Sequence, residues 1–351
     1  MAGSSFGEVF KITTFGESHG AGIGVIVDGC PSGIPVDIEY IQSKLDRRRP
    51  GQSDVVTPRN EKDQVHLMSG IFQGHTTGTP VGMVIYNTDV RSQDYNNLKD
   101  LFRPGHADYT YYKKYGFRDY RGSGRASARE TAARVAGGAI AMKFLEMNNI
   151  TINAYLISVG KIKAQKRDLS VIDQNKVRCP DAEIAKKMEE YILALKEEGD
   201  SIGGVVEVIA SGVPAGLGEP VFDKLSADLA KAMLSINAVK GVEIGDGFAC
   251  TELKGSENND VMLPDGYMTN HAGGILGGIS NGNDIVVRVA IKPASSIKKD
   301  QNTVTVDGGA VEFNITGRHD PCVAVRAVPV VEAMMAITLT DHFLRRRCNL
   351  A

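Results

Sequence analysis

The stretch Arg118-Asp-Tyr-Arg121-Gly-Ser-Gly-Arg125-Ala-Ser127-Ala-Arg129-Glu130-Thr-Ala-Ala-Arg134-Val-Ala-Gly-Gly-Ala-Ile-Ala-Met-Lys-Phe-Leu145 decides the fold. Its first part is rich in glycine and arginine; its second part reads as a helix. Ser127 and Glu130 have the Ser-x-x-Glu spacing of a capping box, in which each side chain satisfies a backbone N–H of the first turn. Ala132, Ala133, Ala136, Gly137, Gly138, Ala139 and Ala141 follow. Small residues at helical spacing let another backbone come close, so this helix is expected at the centre of the molecule. A glycine inside a helix costs up to about 1 kcal/mol relative to alanine, so the adjacent pair needs a packing reason. The helix entrance offers free N–H groups and partial positive charge, and Arg121, Arg125, Arg129 and Arg134 gather there, which suits an anion. A solvated, salt-bridged helix start is the plainer reading of the same residues.

Working outward, Phe6–Thr14 and Ile23–Asp28 read as strands around Gly16-Glu-Ser-His19-Gly-Ala-Gly22, a glycine loop that presents an imidazole or merely turns in solvent. Pro35–Leu45 reads as a short helix running into Arg47-Arg48-Arg49, where three cations also suit the helix dipole. Val65–Phe72 and Pro80–Asn87 read as strands joined by a Gly74–Gly78 turn. Arg103-Pro-Gly-His106-Ala-Asp108 is a second histidine loop, followed by four tyrosines that suit ordinary packing better than base stacking. Beyond the central helix, Thr151–Val159, Gly204–Gly212, Gly241–Gly247 and Asp284–Ile291 read as strands. Asp181–Lys196, Pro220–Ile236 and about Val330–Arg347 read as helices. The alternation predicts one α+β unit over residues 1–351, with a rhythm that allows an internal duplication. No Rossmann fingerprint is present, because Gly122-x-Gly124 lacks its third glycine.

A chain of 351 residues can bury a large core, and its net charge of −2 sets up no global field for nucleic acid or a membrane. Five cysteines without CxxC spacing predict reduced thiols and no structural zinc; no metal is expected. No apolar run reads as a membrane span, and the first residues lack a targeting pattern, so a cytoplasmic protein is expected. Arginines in four separated segments (Arg47–Arg49, Arg103, Arg118–Arg134 and Arg318) lie in or beside glycine-rich loops, three of which carry His19, His106 and His319. If these loops meet, they form a pocket for a small molecule with several anionic groups, with histidine as acid or base. Arg48, Arg103, Arg129 and Arg134 are the candidate anion contacts.

Five motifs then carry a resemblance. Phe15-Gly-Glu-Ser-His-Gly20, Arg125-Ala-Ser-Ala-Arg-Glu-Thr131, Gly241-Val-Glu-Ile-Gly-Asp-Gly-Phe248, Asn270–Gly282 and Gly317-Arg-His-Asp-Pro-Cys322 resemble the chorismate synthases, in family order and over nearly the whole chain. The resemblance implies 1,4-elimination of phosphate from 5-enolpyruvylshikimate 3-phosphate, dependent on reduced FMN although redox-neutral overall. It implies a β-α-β sandwich, with long central helices between antiparallel sheets, and a homotetramer. It implies flavin contacts from Arg125, Ala126, Ser127, Asn237, Ala238, Gly278, Lys292, Pro293, Ala294, Ser295, Ser296 and Arg318. Arg48 matches an arginine assigned to nucleotide or substrate anions, His19 and His106 match two acid histidines, and Asp320 matches an aspartate that assists proton removal. NADPH enters as a candidate reductant. Asp54 stands where the family commonly has arginine, which puts a nucleotide contact in doubt. A flavin oxidoreductase using the same pocket and an RNA-binding protein using the Arg/Gly loops are the alternatives; net hydride transfer or salt-sensitive RNA binding would mark them.

Overall fold

The structure is a computed structural model and describes residues 3–57, 59, 61–89, 97–315 and 319–347. Strands with alternating burial assemble into two antiparallel five-stranded sheets. The first holds β1 (Ser5–Phe6), β2 (Lys11–Gly16), β3 (Gly22–Asp28), β4 (Val65–Leu67) and β5 (Val81–Tyr86), in the spatial order β1-β2-β3-β5-β4. The second holds β6 (Thr151–Val159), β7 (Ile162–Lys163), β8 (Gly204–Ser211), β9 (Val239–Ile244) and β10 (Ile285–Ile291), in the order β9-β10-β8-β6-β7. In β5, Val81, Met83 and Ile85 point into the core; in β10, Ile285, Val287, Val289 and Ile291 do.

The main helices are α1 (Ile38–Arg48), α2 (Asp108–Tyr115), α3 (Thr131–Met147), α4 (Ala182–Glu197), α5 (Leu225–Leu234) and α6 (Val323–Arg346). α3 packs on β2, β3 and β5, α6 packs on β6 and β8, and the two helices pack on each other. Both are buried almost all round, as core helices are. The adjacent glycines of α3 each have a separate reason. A Cβ at Gly137 would meet the Cγ2 methyls of Ile12 and Val25 at 3.3 Å, on the first sheet. A Cβ at Gly138 would lie 2.5 Å from Ala333 Cβ and 2.7 Å from its Cα, on α6. One glycine therefore admits the sheet and the next admits the helix.

Four expectations need correction. The capping box does not form: Ser127 Oγ accepts from Arg129 N at 3.3 Å and caps a 3-10 turn, Ala128–Glu130, ahead of α3. Glu130 turns instead to Thr14 Oγ1 (2.9 Å) and Arg134 Nε (2.9 Å), because the first sheet supplies a buried donor there. α6 begins at Val323 rather than near Val330, and takes Pro329 inside it. Proline locks φ at a helical value, and close packing against α3 outweighs the lost backbone hydrogen bond. The segment Val65–Phe72 is two strands, because Ile71–Phe72 pairs with His75–Thr76 as a separate hairpin. Finally, α6 is long and apolar enough to cross a membrane, yet it is a buried core helix here. Cys30, Cys179 and Cys322 are buried free thiols and Cys250 is an exposed one.

Candidate active site

The loops that flank α1, α3 and α6 meet in a cleft of about 390 Å³. Arg48 at the end of α1 and Arg129 on the turn before α3 share the buried carboxylate of Asp63. Burial pushes Asp63 up, but Arg48 and Arg129 together hold it below the usual carboxylate range. Burial, and the repulsion of Arg326 and Arg129 against the pull of Asp63, bring Arg48 down to about 10. Two guanidiniums on one carboxylate leave a net positive wall. Arg48 Nε, Arg59 Nε and Arg129 Nη2 are buried without a hydrogen-bond partner among the described residues, although Arg129 Nη2 stands 4.0 Å from Glu61. Unspent buried donors of this kind call for an acceptor.

The Arg103–Asp108 loop forms the next wall. Arg103 donates to Asp108 through Nε (2.7 Å) and Nη2 (2.9 Å), and to Ser123 Oγ at 3.0 Å. His106 Nε2 lies 2.9 Å from Ser123 Oγ. Its Nδ1 lies 3.0 Å from Asp108 Oδ1, bent off the line of a hydrogen bond, so that contact is mainly electrostatic. Burial lowers the His106 pKa and Arg103 adds to it, against the pull of Asp108. His319 also lines the cleft, and burial and the Arg103 charge take it down to about 4, so its ring is neutral near pH 7.

The far side is built from Asn237, Ala238 and the segment Lys292–Ser296. Asn237 Nδ2 donates to Ala126 O at 2.9 Å, while its Oδ1 is buried with no partner among the described residues. Lys292 Nζ donates to Gly105 O at 2.7 Å and so ties this segment to the histidine loop. Asp320 accepts from Thr57 N (2.9 Å) and from Arg326 Nη1 (2.7 Å).

A cleft walled by Arg48, Arg59, Arg103, Arg129 and Arg326, with two histidines and the Asp320 carboxylate beside them, is built for a polyanion. The sequence pattern of the family described as chorismate synthase matches residues 10–344. The chain belongs to the chorismate synthase family. It is also similar to a solved protein titled "Crystal Structure of Chorismate Synthase", at 33% identity and a TM-score of 0.76, over 97% of this chain and 93% of that one. The chain is accordingly an enzyme of chorismate formation.

As in the motif-based reading of a chorismate synthase, Arg48, Arg103, His106, Ala126, Ser127, Arg129, Asn237, Ala238, Lys292, Pro293, Ala294, Ser295, Ser296 and Asp320 all line one cleft. Others stand apart. Arg125 donates to Thr14 Oγ1 (2.6 Å) and Gly16 O (3.2 Å), and Arg134 is held by Glu130 and Ser235. Both line a second cleft, which shares Ala126 and Asn237 with the first. His19 packs on Gly122, where a Cβ would come within 1.7 Å of its Nδ1, and is not among the residues lining the main cleft. Gly278 lies at the start of α5, its carbonyl accepting from Leu225 N at 2.8 Å. Arg318 falls outside the described residues. Asp54 is half exposed and pairs with Lys176 at 3.1 Å, away from the cleft. Arg59, Asp63, Asp108, Ser123 and Arg326 were not singled out by motif. Only Asp108 left a trace, as the acid two residues beyond His106.

Proposed function

We propose that this chain converts 5-enolpyruvylshikimate 3-phosphate to chorismate and phosphate by 1,4-elimination, with reduced FMN bound in the same cleft. The observation that carries the reading is a single cleft lined by Arg48, Arg59, Arg103, Arg129 and Arg326 together with His106 and Asp320. The substrate brings one phosphate and two carboxylates, and a cleft lined by arginines suits these acceptors in charge. Fixed cations in a water-poor site stabilise developing negative charge without reorganising. Arg48, Arg59 and Arg129 hold the substrate anions, while Asp63 fixes two of the three.

The free Oδ1 of Asn237 and the polar Lys292–Ser296 segment fit a flavin, whose ring offers an N–H and whose side chain ends in phosphate. Ala126, Ser127, Asn237, Ala238 and Lys292–Ser296 would hold it; Arg125, Gly278 and Arg318 are proposed contacts from beyond this cleft. When bound, reduced flavin supplies reversible electron donation to the substrate ring. His106 supplies the proton that the departing phosphate takes, and the Asp320 carboxylate receives the ring proton. His19 steadies the reduced flavin from behind Gly122. NADPH serves as reductant only if Asp54, an acid on the surface, does not repel it. The layering of α3 and α6 between the sheets is read as the β-α-β sandwich of the family, one domain assembled as a cytoplasmic homotetramer without nucleic acid or membrane partners.

Anaerobic turnover with FMN tests the reading, comparing chemically reduced flavin, oxidised flavin and NADPH as sole reductant. Chorismate is expected with chemically reduced flavin, and equal rates with oxidised flavin would sink the proposal. Net oxidation of flavin during turnover would instead support an oxidoreductase.

A further inference from the structure

Ser123 lines the cleft with its backbone at φ +77°, the left-handed region that favours glycine. Its neighbours Gly122 and Gly124 hold φ +60° and +50°. A serine thus occupies a position that glycine would fill without strain, so its side chain is where compensation is to be sought. Its Oγ accepts from Arg103 Nη2 at 3.0 Å and lies 2.9 Å from His106 Nε2. The other ring nitrogen faces Asp108 Oδ1 at 3.0 Å. Asp108 is clamped by Arg103 and by Arg118 Nη1 at 3.2 Å. Burial pushes its carboxyl up, but Arg103 and His106 hold it far below the usual range.

Both nitrogens of His106 are therefore engaged. A fixed anion beside Nδ1 draws the ring proton to that side and leaves Nε2 to accept. Arg103 already donates to the serine oxygen, so the Ser123 hydrogen points to Nε2. Nε2 is then the nitrogen that loses the added proton, and its hydrogen-bond partner is the serine oxygen, on a residue that also lines the cleft. We infer that Ser123 is the proton carrier between His106 and the leaving phosphate. This rests on the reaction proposed above. With the ring protonated, Nε2–H donates to Oγ and the serine hydrogen turns into the cleft. As the C–O bond to phosphate breaks, its electron pair stays on the phosphate oxygen. That oxygen takes the serine hydrogen, Oγ takes the Nε2 proton, and serine and neutral imidazole are both restored with no change of oxidation state.

Ser123→Gly removes the hydroxyl and relaxes the backbone, so it separates the relay from strain. With reduced FMN, kcat is expected to fall about tenfold or more while KM stays close to that of the wild type. A proton inventory in mixed H₂O and D₂O is expected to change from bowed, for two protons in flight, to linear. The double variant with His106→Ala is expected to be no slower than His106→Ala alone. Independently of turnover, the ¹⁵N resonance of Nε2 in the neutral, selectively labelled enzyme should move toward that of an unbonded imidazole nitrogen in Ser123→Gly. Wild-type kcat with a bowed inventory in Ser123→Gly would overturn the relay, and so would an unmoved Nε2 resonance. If the wild-type enzyme yields no chorismate, the reaction itself is refuted, and the nitrogen resonance alone then decides whether Ser123 and His106 are coupled.

Discussion

His106 enters the cleft as a neutral ring, and this sets the pH behaviour of the enzyme. Burial and Arg103 keep its pKa below the ordinary 6.5 against the pull of Asp108, so the protonated fraction of free enzyme falls as pH rises through that lowered value. kcat/KM reports the free enzyme and is expected to climb as the medium is acidified below neutrality. A bound phosphate favours the charged ring, so the kcat profile should lie at higher pH than that of kcat/KM. In His106→Ala the limb should vanish, with turnover lower by about 10²–10⁴-fold and substrate still held by the arginines. A limb that persists in this variant would assign it to another group. At this scale the sequence was half legible. Histidines and arginines in glycine loops stand out because few structural roles need them there. Asp63 did not stand out, because the acid in Glu61-Lys-Asp63 looks like any surface carboxylate until the fold buries it between Arg48 and Arg129. Arg326 was hidden likewise, because it precedes Val330, where the helix was read to begin, whereas α6 starts at Val323.

The central helix was legible from its small residues, and each glycine of the pair now makes a separate prediction. Alanine is the better helix former by about 1 kcal/mol, and at Gly137 it would meet only methyl groups at 3.3 Å or beyond. Gly137→Ala is expected to change stability by less than about 1 kcal/mol. At Gly138 the new methyl would meet Ala333 backbone at 2.7 Å, so the two helices must part. Gly138→Ala is expected to lose about 1–3 kcal/mol net, read as a lower denaturant midpoint. Equal midpoints for the two variants would mean that the helices do not touch at Ala333. Boundaries were less legible than elements. The Ser-x-x-Glu spacing pointed to a capping box, but Glu130 had a better partner in Thr14, more than a hundred residues away in sequence. The last helix was read from about Val330, but it begins at Val323, and the fixed φ of Pro329 is compatible with the helix around it.

At the scale of the molecule, the two halves were legible as strands followed by a long helix, but the pairing of strands was not. In each half the third, fifth and fourth strands lie side by side, while the first two exchange places between the halves. Register and order depend on contacts that no local pattern encodes. The closing helix carries a consequence for how the chain is made. α6 follows every other described element in sequence, yet it packs on α3 and on the second sheet, and its Asp341 accepts the N–H groups of Glu8 (3.1 Å), Val9 (2.7 Å) and Phe10 (2.9 Å), which lie far from it in sequence. Asp341→Ala strands three donors and is expected to cost about 3 kcal/mol, checked by denaturant unfolding. During translation, the faces of α3 and of the second sheet that α6 covers wait exposed until α6 is made. A nascent chain of this protein is thus a client for chaperones until α6 emerges. Stop codons placed before Val323 are expected to give aggregates rather than a soluble half, as measured by the soluble fraction after expression. The growing chain can commit to its active cleft only once α6 has emerged, because the helix that carries Arg326 is the same one that closes the core.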